Sequence, residues 1–223
     1  MVGPSGYRTS TALRLATGVL RLKSGHVTVL GGAPNRARSA RQIAVAFQDP
    51  ALLPWRTVRQ NVALPLEVAG ARPAERHDIV ADAISRVGCA GFEENRPGQL
   101  SGGMKRRVAT ARALTTSPKL LLMDDPFSAV DELTRDRLDL PQLGFWSKGD
   151  LVVAFVPHSI EEVVFLADQA VVLKRRPASA SRSIATGLPR PRTLAMKRDG
   201  AMFEVAAQVR AALEDAVNPS MQR

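Results

Sequence analysis

Two stretches of the sequence carry groups that could handle phosphate and a metal ion. The first is a small, glycine-rich turn made of Ser101, Gly102 and Gly103. Apolar residues recur at helical spacing directly after it, which predicts that the turn opens a helix. Unpaired N–H groups and the positive end of the helix dipole would face an anion there. The second stretch ends in Asp124 and Asp125, after a short apolar run of the length expected for a buried strand.

The order of these two stretches narrows their interpretation. In open α/β sheets, ligands bind at the carboxyl ends of strands, so Asp124 and Asp125 are predicted to handle metal and water. Each motif alone has an ordinary explanation, because SGG is usually a turn and a pair of aspartates often ends a strand. Their succession is far less expected by chance, and we interpret it as a phosphate site.

The start of the chain, MVGPSGYRTST, matches half of the phosphate-loop pattern G-x-x-x-x-G-K-[ST]. Gly3 takes the first glycine position, and Ser10, with Thr11 beside it, takes the position of the hydroxyl that would bind Mg²⁺. Arg8 and Thr9 replace the glycine that lets the backbone curl and the lysine that reaches the phosphates. Alone this stretch reads as a turn before a helix, but its place ahead of the other motifs favours a phosphate loop. The remaining loop residues are Pro4, Ser5, Gly6 and Tyr7.

Composition restricts the class of protein. A chain of 223 residues with a net charge of +10 fits one domain with an inserted lobe, and the charge allows nucleic acid, an anionic membrane surface or polyphosphate as partners. Two Trp and one Tyr offer little base stacking and no zinc-finger spacing occurs, so we do not expect nucleic-acid binding. Cys89 is the single cysteine, which agrees with a reducing compartment. No apolar run approaches the length of a membrane span, and we expect a cytoplasmic protein.

Apolar periodicity predicts an alternation of strands and helices that is interrupted by a helical lobe at about residues 57–99. Strands are predicted at 26–30, 43–47, 119–123, 151–156 and 170–173, and helices at 10–17, 57–64, 73–88, 159–167 and 203–217. The segment 174–198 carries eight Lys or Arg and no acidic residue, a composition that predicts a solvated, mobile segment that buries little.

The motifs together resemble a known family. The sequences LSGGM, LLLMDD and SAVD resemble the signature, Walker B and D-loop of ATP-binding-cassette (ABC) ATPases, and FQDPALLPWRTV at residues 47–58 resembles the Q-loop of importers for nitrate, sulfonates and taurine. The resemblance implies an α/β P-loop NTPase core of the ABC type with an inserted helical subdomain. It also implies ATP and Mg²⁺ as cofactors, sandwiched between two subunits so that each site joins one P-loop to the other subunit's signature.

The resemblance also implies roles for individual residues. Asp124 would hold Mg²⁺ through water, together with Ser10, while Gln48 would contact both Mg²⁺ and the attacking water. Asp125 would stand in for the usual glutamate base, and His158 would sense the γ-phosphate, although Pro157 before it is unusual for the family. A lone histidine would more often make a structural hydrogen bond, so this role depends on its position in the succession. The nucleotide itself would contact residues 3–11 and, from the other subunit, residues 101–103.

Partners are implied in the same way. The four residues expected to dock onto an integral-membrane permease, at the inner face of the membrane, are Leu53, Pro54, Trp55 and Arg56. The subunit would form a homodimer or pair with a related ATPase. The family's additional N-terminal strands and the aromatic residue that stacks on adenine have no counterpart before Gly3.

Two other functions stay open at this stage. The replacements at Arg8, Thr9 and Asp125 allow a hydrolysis-defective, nucleotide-binding or regulatory paralogue that only contributes its LSGG face to a partner. A soluble ABC protein acting on nucleic acid would instead bind DNA tightly and in a salt-dependent way.

Overall fold

The structure of the chain is a computed structural model that describes residues 1–3, 9–124, 151–157, 159–174 and 179–217. The chain divides into two compact units: one comprises Leu13–Ala154, and the other comprises Met1–Ala12 with Phe155–Arg223. A single domain remains a prediction.

A parallel sheet organises the unit Leu13–Ala154. Strand β1 (Ile43–Ala46) pairs in parallel with β2 (Leu120–Asp124), with Ile43 opposite Leu120 and Ala46 opposite Met123. Strand β3 (Val152–Val156) follows β2 in the order β1-β2-β3. The first four residues of β2 are buried and apolar, as expected for a parallel strand covered on both faces. The strands predicted at 43–47, 119–123 and 151–156 are therefore confirmed.

Two short helices precede this sheet in the sequence. Helix α1 (Thr9–Ala16) confirms the helix predicted at 10–17 and ends in a turn at Gly18, whose φ of +67° lies in the left-handed region. The backbone angle favours glycine here, and a Cβ, which would lie 2.5 Å from Asn35 Oδ1, would also displace the Asn35 side chain. Helix α2 (Pro34–Ser39) starts with proline, whose fixed φ suits the first turn.

Three helices share one hydrophobic core, and we call them together the helical subdomain; they include α5, which lies beyond the predicted bounds of about 57–99, and those bounds remain a prediction. Helix α3 (Val58–Val68) is capped by Thr57, whose hydroxyl accepts from Gln60 N while the Gln60 side chain accepts from Thr57 N. Helix α4 (Pro73–Arg86) begins at proline, and α5 (Gly102–Leu114) begins after Ser101. Their shared core consists of Val58, Val62, Leu66, Val80, Ala83, Ile84, Val87, Cys89, Leu100, Val108 and Ala111.

Helix α3 continues four residues beyond the predicted end at Leu64. Pro65 lies inside it and cannot donate the usual backbone hydrogen bond. The helix nevertheless reaches Val68, since Leu66 is buried in the shared core and Ala69 N donates to Pro65 O at 3.0 Å. Tertiary packing thus outweighs the local preference that the sequence suggested.

The other unit combines an antiparallel strand pair with two helices. Strand β4 (Gln169–Lys174) pairs with β5 (Ser179–Ala185), and helix α6 (Ile160–Leu166) and helix α7 (Gly200–Val217) pack together, with α7 also against both strands. The start of the chain joins this unit: Val2 bridges Val172, and the Met1 amine donates to Phe155 O at 2.7 Å. Burial lowers the pKa of that amine to about 6.

Two sequence predictions are wrong. Residues 26–30 do not form a strand; a bridge joins Val29 to Gly32, because Leu30 and Gly31 both adopt positive φ and turn the chain back. The segment 174–198 does not lack buried structure, since its residues 179–185 form β5, a five-residue 3₁₀-helix spans Leu194–Arg198, and Ile184, Thr186 and Arg192 are buried.

Arg192 explains why so basic a segment packs onto the fold. Its guanidinium donates to Phe165 O at 2.8 Å and Ala167 O at 2.9 Å, at the carbonyl end of α6 where the helix dipole favours a cation. It also bonds Asp168 Oδ1 at 2.9 Å. The Lys197 ammonium lies 4.6 Å from the centre of the Phe165 ring. Basic composition alone does not distinguish such a docked arginine from a solvated one.

Among the helices in the described ranges, none is both long and apolar enough to cross a membrane.

The shared core of the helical subdomain should set the accessibility of Cys89. Its thiol is fully buried, and burial raises its pKa, so thiol reagents should label it only after local or global unfolding. Ile84→Val removes one fully buried methylene and should lower the free energy of unfolding by about 1 kcal/mol, which speeds labelling roughly fivefold. Ile79→Val makes the same change at a side chain that is 42% exposed and should do neither. Equal labelling of both variants by a thiol reagent would contradict this packing.

Candidate functional site

The signature residues lie at the start of α5, as predicted. Ser101 is the N-cap, and its hydroxyl accepts from Met104 N at 3.2 Å. The first intrahelical bond runs from Lys105 N to Ser101 O at 3.0 Å, so the N–H groups of Gly102 and Gly103 have no acceptor within the helix. Ser101 and Gly102 are exposed. The start of α5 therefore presents backbone donors and the positive end of a helix dipole on the surface.

Gln48 and Asp124 lie at one edge of the sheet. Asp124 directly follows Met123, and Met123 pairs with Ala46, two residues before Gln48. Because β1 and β2 are parallel, their carboxyl ends meet at the same edge, where Asp124 ends β2 and Gln48 follows the end of β1 by two residues. In the described ranges, no group of three His, Cys, Asp or Glu is arranged to hold a metal ion.

The structure describes only some of the other predicted site residues. Thr9, Ser10 and Thr11 open α1, and Gly3 follows the Val2 bridge. The remaining predicted residues lie outside the described residues: Pro4, Ser5, Gly6, Tyr7, Arg8, Asp125 and His158. Their roles stay predictions.

The Q-loop segment (residues 47–58) connects β1 to α3 and begins with a tight turn. The Asp49 carboxylate accepts from Ala51 N at 3.0 Å, and Ala51 has a φ of +44°. Arg112, in the last turn of α5, donates to Pro50 O at 2.7 Å and to Ala51 O at 2.9 Å. A helix of the helical subdomain thus binds the turn that follows Gln48.

A buried amide holds the second half of the Q-loop segment. The Asn61 side chain is completely buried in α3, and its Oδ1 accepts from Leu53 N at 2.8 Å. Its Nδ2 lies within hydrogen-bond distance of the carbonyl oxygens of Leu53, Arg56 and Thr57, at 3.1, 3.2 and 3.0 Å. The amide therefore satisfies backbone groups that precede α3 and would otherwise be buried without partners.

The docking segment is the part of the Q-loop segment that comprises Leu53, Pro54, Trp55 and Arg56. Asn61 fixes its backbone at both ends, yet the Trp55 side chain is 67% exposed. Arg56 Nη1 donates to Glu67 Oε2 at 2.6 Å, and Arg76 Nη1 lies 3.3 Å from Glu67 Oε1. A rigid backbone thus presents an exposed indole next to a network of ionic side chains.

An open cavity of 240 Å³ adjoins this network between α3 and α4. Its lining includes Ala63 and Val80 together with the polar side chains of Gln60, Glu67 and Arg76. The helical subdomain therefore offers a concave surface, with an apolar floor and an ionic rim, next to the docking segment.

Sequence reasoning missed Asn61 and Arg112. Both lie on helices whose pattern was read for apolar positions, and a polar residue on such a helix is normally assigned to solvent. The one available signal was the position of Asn61 on the face of Val58 and Val62, where a polar residue is expected to have a backbone partner.

Loss of the Asn61 amide should cost more than loss of the exposed amide beside it. Asn61→Leu leaves Leu53 N and its neighbouring carbonyls without a buried partner, so the free energy of unfolding should fall by about 2 kcal/mol or more. Gln60→Leu, the control, removes only an exposed capping contact and should cost less than about 1 kcal/mol. Urea denaturation of both variants measures the difference. Equal costs would show that the Asn61 contacts do not stabilise the fold.

Residues 1–128 match the family model described as ABC transporter. The nitrate import ATP-binding protein NrtD of Synechocystis sp. is 37% identical over 214 residues, covering 93% of this chain and 80% of that protein. The taurine import ATP-binding protein TauB of Pseudomonas entomophila is 43% identical over 176 residues, covering 79% of this chain and 67% of that protein.

A solved structure agrees with these relatives. The ATP-binding cassette MJ0796, in a dimeric, post-hydrolysis state bound to ADP and Pi, superposes with a TM-score of 0.74 at 25% identity and covers 84% of each chain. The predicted P-loop NTPase fold of the ABC type, with α5 and the Walker B strand in their expected order, is confirmed. On the matched residues and the relatives together, this chain belongs to the ABC transporter family, as an ATP-binding subunit.

Proposed function

We propose that the chain is the ATP-binding, energy-coupling subunit of an importer for nitrate, sulfonate or taurine-like solutes. The observation that carries the proposal is the shared sheet edge of Gln48 and Asp124, next to a helical subdomain that holds the signature and the docking segment. NrtD and TauB, which are named for nitrate and taurine import, support this solute class. The relatives favour an import subunit over a purely regulatory paralogue.

The sheet edge supports a site for Mg²⁺ and ATP. Mg²⁺ prefers oxygen ligands and keeps several waters, so one carboxylate at the end of β2 and one amide oxygen just after β1 fit it. Asp124 would hold the ion through water, Gln48 would contact the ion and the attacking water, and Ser10 would add a hydroxyl. When bound, Mg²⁺ neutralises charge on the phosphates. Asp125 and His158 would orient water and the γ-phosphate.

The exposed start of α5 supports a dimeric arrangement. Its backbone donors face outward, and Lys105, Arg106 and Arg107 follow in the first two turns, so the local field favours an anion. We propose that Ser101, Gly102 and Gly103 bind the nucleotide held by the P-loop of a second subunit. The dimeric state of the MJ0796 cassette supports such a pairing, and the second subunit would be another copy of this chain or a related ATPase.

The docking segment supports a membrane partner. An exposed tryptophan on a fixed backbone loses little conformational entropy on binding, and the adjacent cavity between α3 and α4 could receive a helix of the partner. We propose that the integral-membrane permease docks here, which would place the subunit at the inner face of the cell membrane.

Hydrolysis by the parent chain should be weak, with the phosphate loop as the main cause. Thr9 removes the cation that would neutralise charge on the transferring phosphoryl group, and loss of one such preorganised donor costs about 3 to 4 kcal/mol, or roughly a hundredfold to a thousandfold. Arg8→Gly with Thr9→Lys should restore nucleotide binding first. Turnover should recover fully only when Asp125→Glu brings the carboxylate closer to the attacking water. Nucleotide affinity and phosphate release measure the two steps.

The matched control for this series is Arg8→Gly with Thr9→Met, which restores the glycine but adds no cation. It should regain little affinity for ATP. A parent chain that already turns over at about 1 per second or faster, within the ordinary range of enzymes, would contradict the prediction.

Trp55 should be the energetic anchor of permease binding. Tryptophan at an interface typically contributes about 2 kcal/mol or more, so Trp55→Ala should weaken the complex roughly thirtyfold. Phe203→Ala, the control, removes an aromatic side chain of nearly equal exposure, 65% against 67%, from α7. Co-expression with permease subunits of the same genome, followed by affinity purification, measures the retained permease. If Trp55→Ala retains as much as Phe203→Ala, the docking assignment is wrong.

A further inference from the structure

Arg112 connects two parts of the helical subdomain that the proposed function treats separately. It lies in the last turn of α5, and its two terminal nitrogens donate to successive carbonyls of the Q-loop segment, Pro50 O at 2.7 Å and Ala51 O at 2.9 Å. Burial lowers the pKa of its guanidinium, so its charge is partly desolvated there. Charge-assisted bonds of this kind are stronger than bonds between neutral groups, and two from one planar group also fix direction.

The turn that Arg112 binds contains an unfavourable backbone conformation. Ala51 adopts a φ of +44°, which is unfavourable for a residue with a Cβ. Such a conformation persists only when the surroundings impose it. Here the Asp49 carboxylate binds Ala51 N from within the turn, and Arg112 binds the two carbonyls from outside it. Arg112 is the contact through which α5 can control the turn.

Helix α5 is a rigid connection between this turn and the signature. Ser101 caps its start, and Arg112 lies eleven residues later, about 16 Å along the axis at 1.5 Å per residue. The helix packs on α3, α4 and β1 along its length, so it moves as one body rather than bending. The turn lies between Gln48 and the docking segment, and a shift of α5 would therefore reach both.

We propose that Arg112 is a positioning residue that ties the Q-loop segment to the signature helix, so that events at the signature move Gln48 and the docking segment together. The roles of the signature, Gln48 and the docking segment rest on the proposed function. The link between α5 and the Q-loop segment rests only on the contacts of Arg112.

The chain contains a matched control on the same helix. Arg107, at the middle of α5, also donates to two successive carbonyls, Val87 O at 3.2 Å and Gly88 O at 3.0 Å. These carbonyls belong to the end of α4, not to the Q-loop segment. Arg107→Met and Arg112→Met thus remove the same charge and the same number of backbone contacts, and they differ in the loop that is released.

Amide hydrogen exchange on the isolated chain tests the tie directly. The reporters are four amides of the Q-loop segment that have acceptors: Ala51, Leu53, Arg56 and Thr57. Arg112→Met should speed their exchange about tenfold or more, because each hydrogen bond to a charged group is worth roughly that factor. Arg112→Lys, which keeps the charge without the fork, should restore part of the protection. Arg107→Met should leave the four amides unchanged and speed exchange at Gly88 and Cys89.

The outcome decides between a positioning residue and general stabilisation. If Arg112→Met leaves the four amides protected, or if Arg107→Met releases them equally, the proposal is overturned. A second measurement uses the Arg8→Gly, Thr9→Lys background with ATP and Mg²⁺. With ATP at a saturating concentration for each variant, ATP should slow exchange at the four amides, and Arg112→Met should abolish this response.

The two experiments also distinguish a failure of the proposed role of Arg112 from a failure of the proposed function. A response to ATP that survives Arg112→Met overturns the coupling role of Arg112. If the background variant binds no ATP at all, the proposed function fails at that point. The exchange measured without nucleotide still decides whether Arg112 positions the Q-loop segment.

Discussion

Helix α5 is buried on two sides, and this constraint determines where the functional groups of the helical subdomain lie. One side packs on α3 and α4 and the other on β1, with Val108, Ala109, Ala111 and Ala113 all buried. Small side chains let the helix approach both neighbours closely. Because α5 packs on both sides, the signature at its start and Arg112 at its end belong to one rigid helix, and any displacement of α5 moves them together.

The loops around α5 gain order from polar groups rather than from apolar packing. Asn61 and Arg112 satisfy backbone groups of the Q-loop segment, and Val58 N and Arg59 N, at the start of α3, donate to Asn95 O and Glu93 O at 2.8 and 2.9 Å. The loop that leads into the signature therefore binds the helix that follows the docking segment. Loops with so few apolar residues would open easily if these buried bonds were lost.

The sequence predicted what depends on local pattern. The capping residues Thr57 and Ser159, the proline that starts α4 and the apolar runs of β1 and β2 each specify an element through chemistry within a few residues. Patterns that depend on distant partners were missed: Arg192 needs the carbonyls of α6, and Arg112 needs a turn sixty residues earlier. Strand 26–30 failed for the same reason, because an apolar run forms a strand only if another strand pairs with it.

The functions proposed for this subunit have separate physical bases. Docking and the presentation of the signature depend on the core of α3, α4 and α5 and on Asn61, and the replacements at Arg8 and Thr9 change none of these residues. Turnover depends instead on a cation and a glycine in the phosphate loop, which no packing of the helical subdomain can supply. A change in the phosphate loop can therefore alter the rate of hydrolysis while the surface proposed to bind a permease keeps its residues.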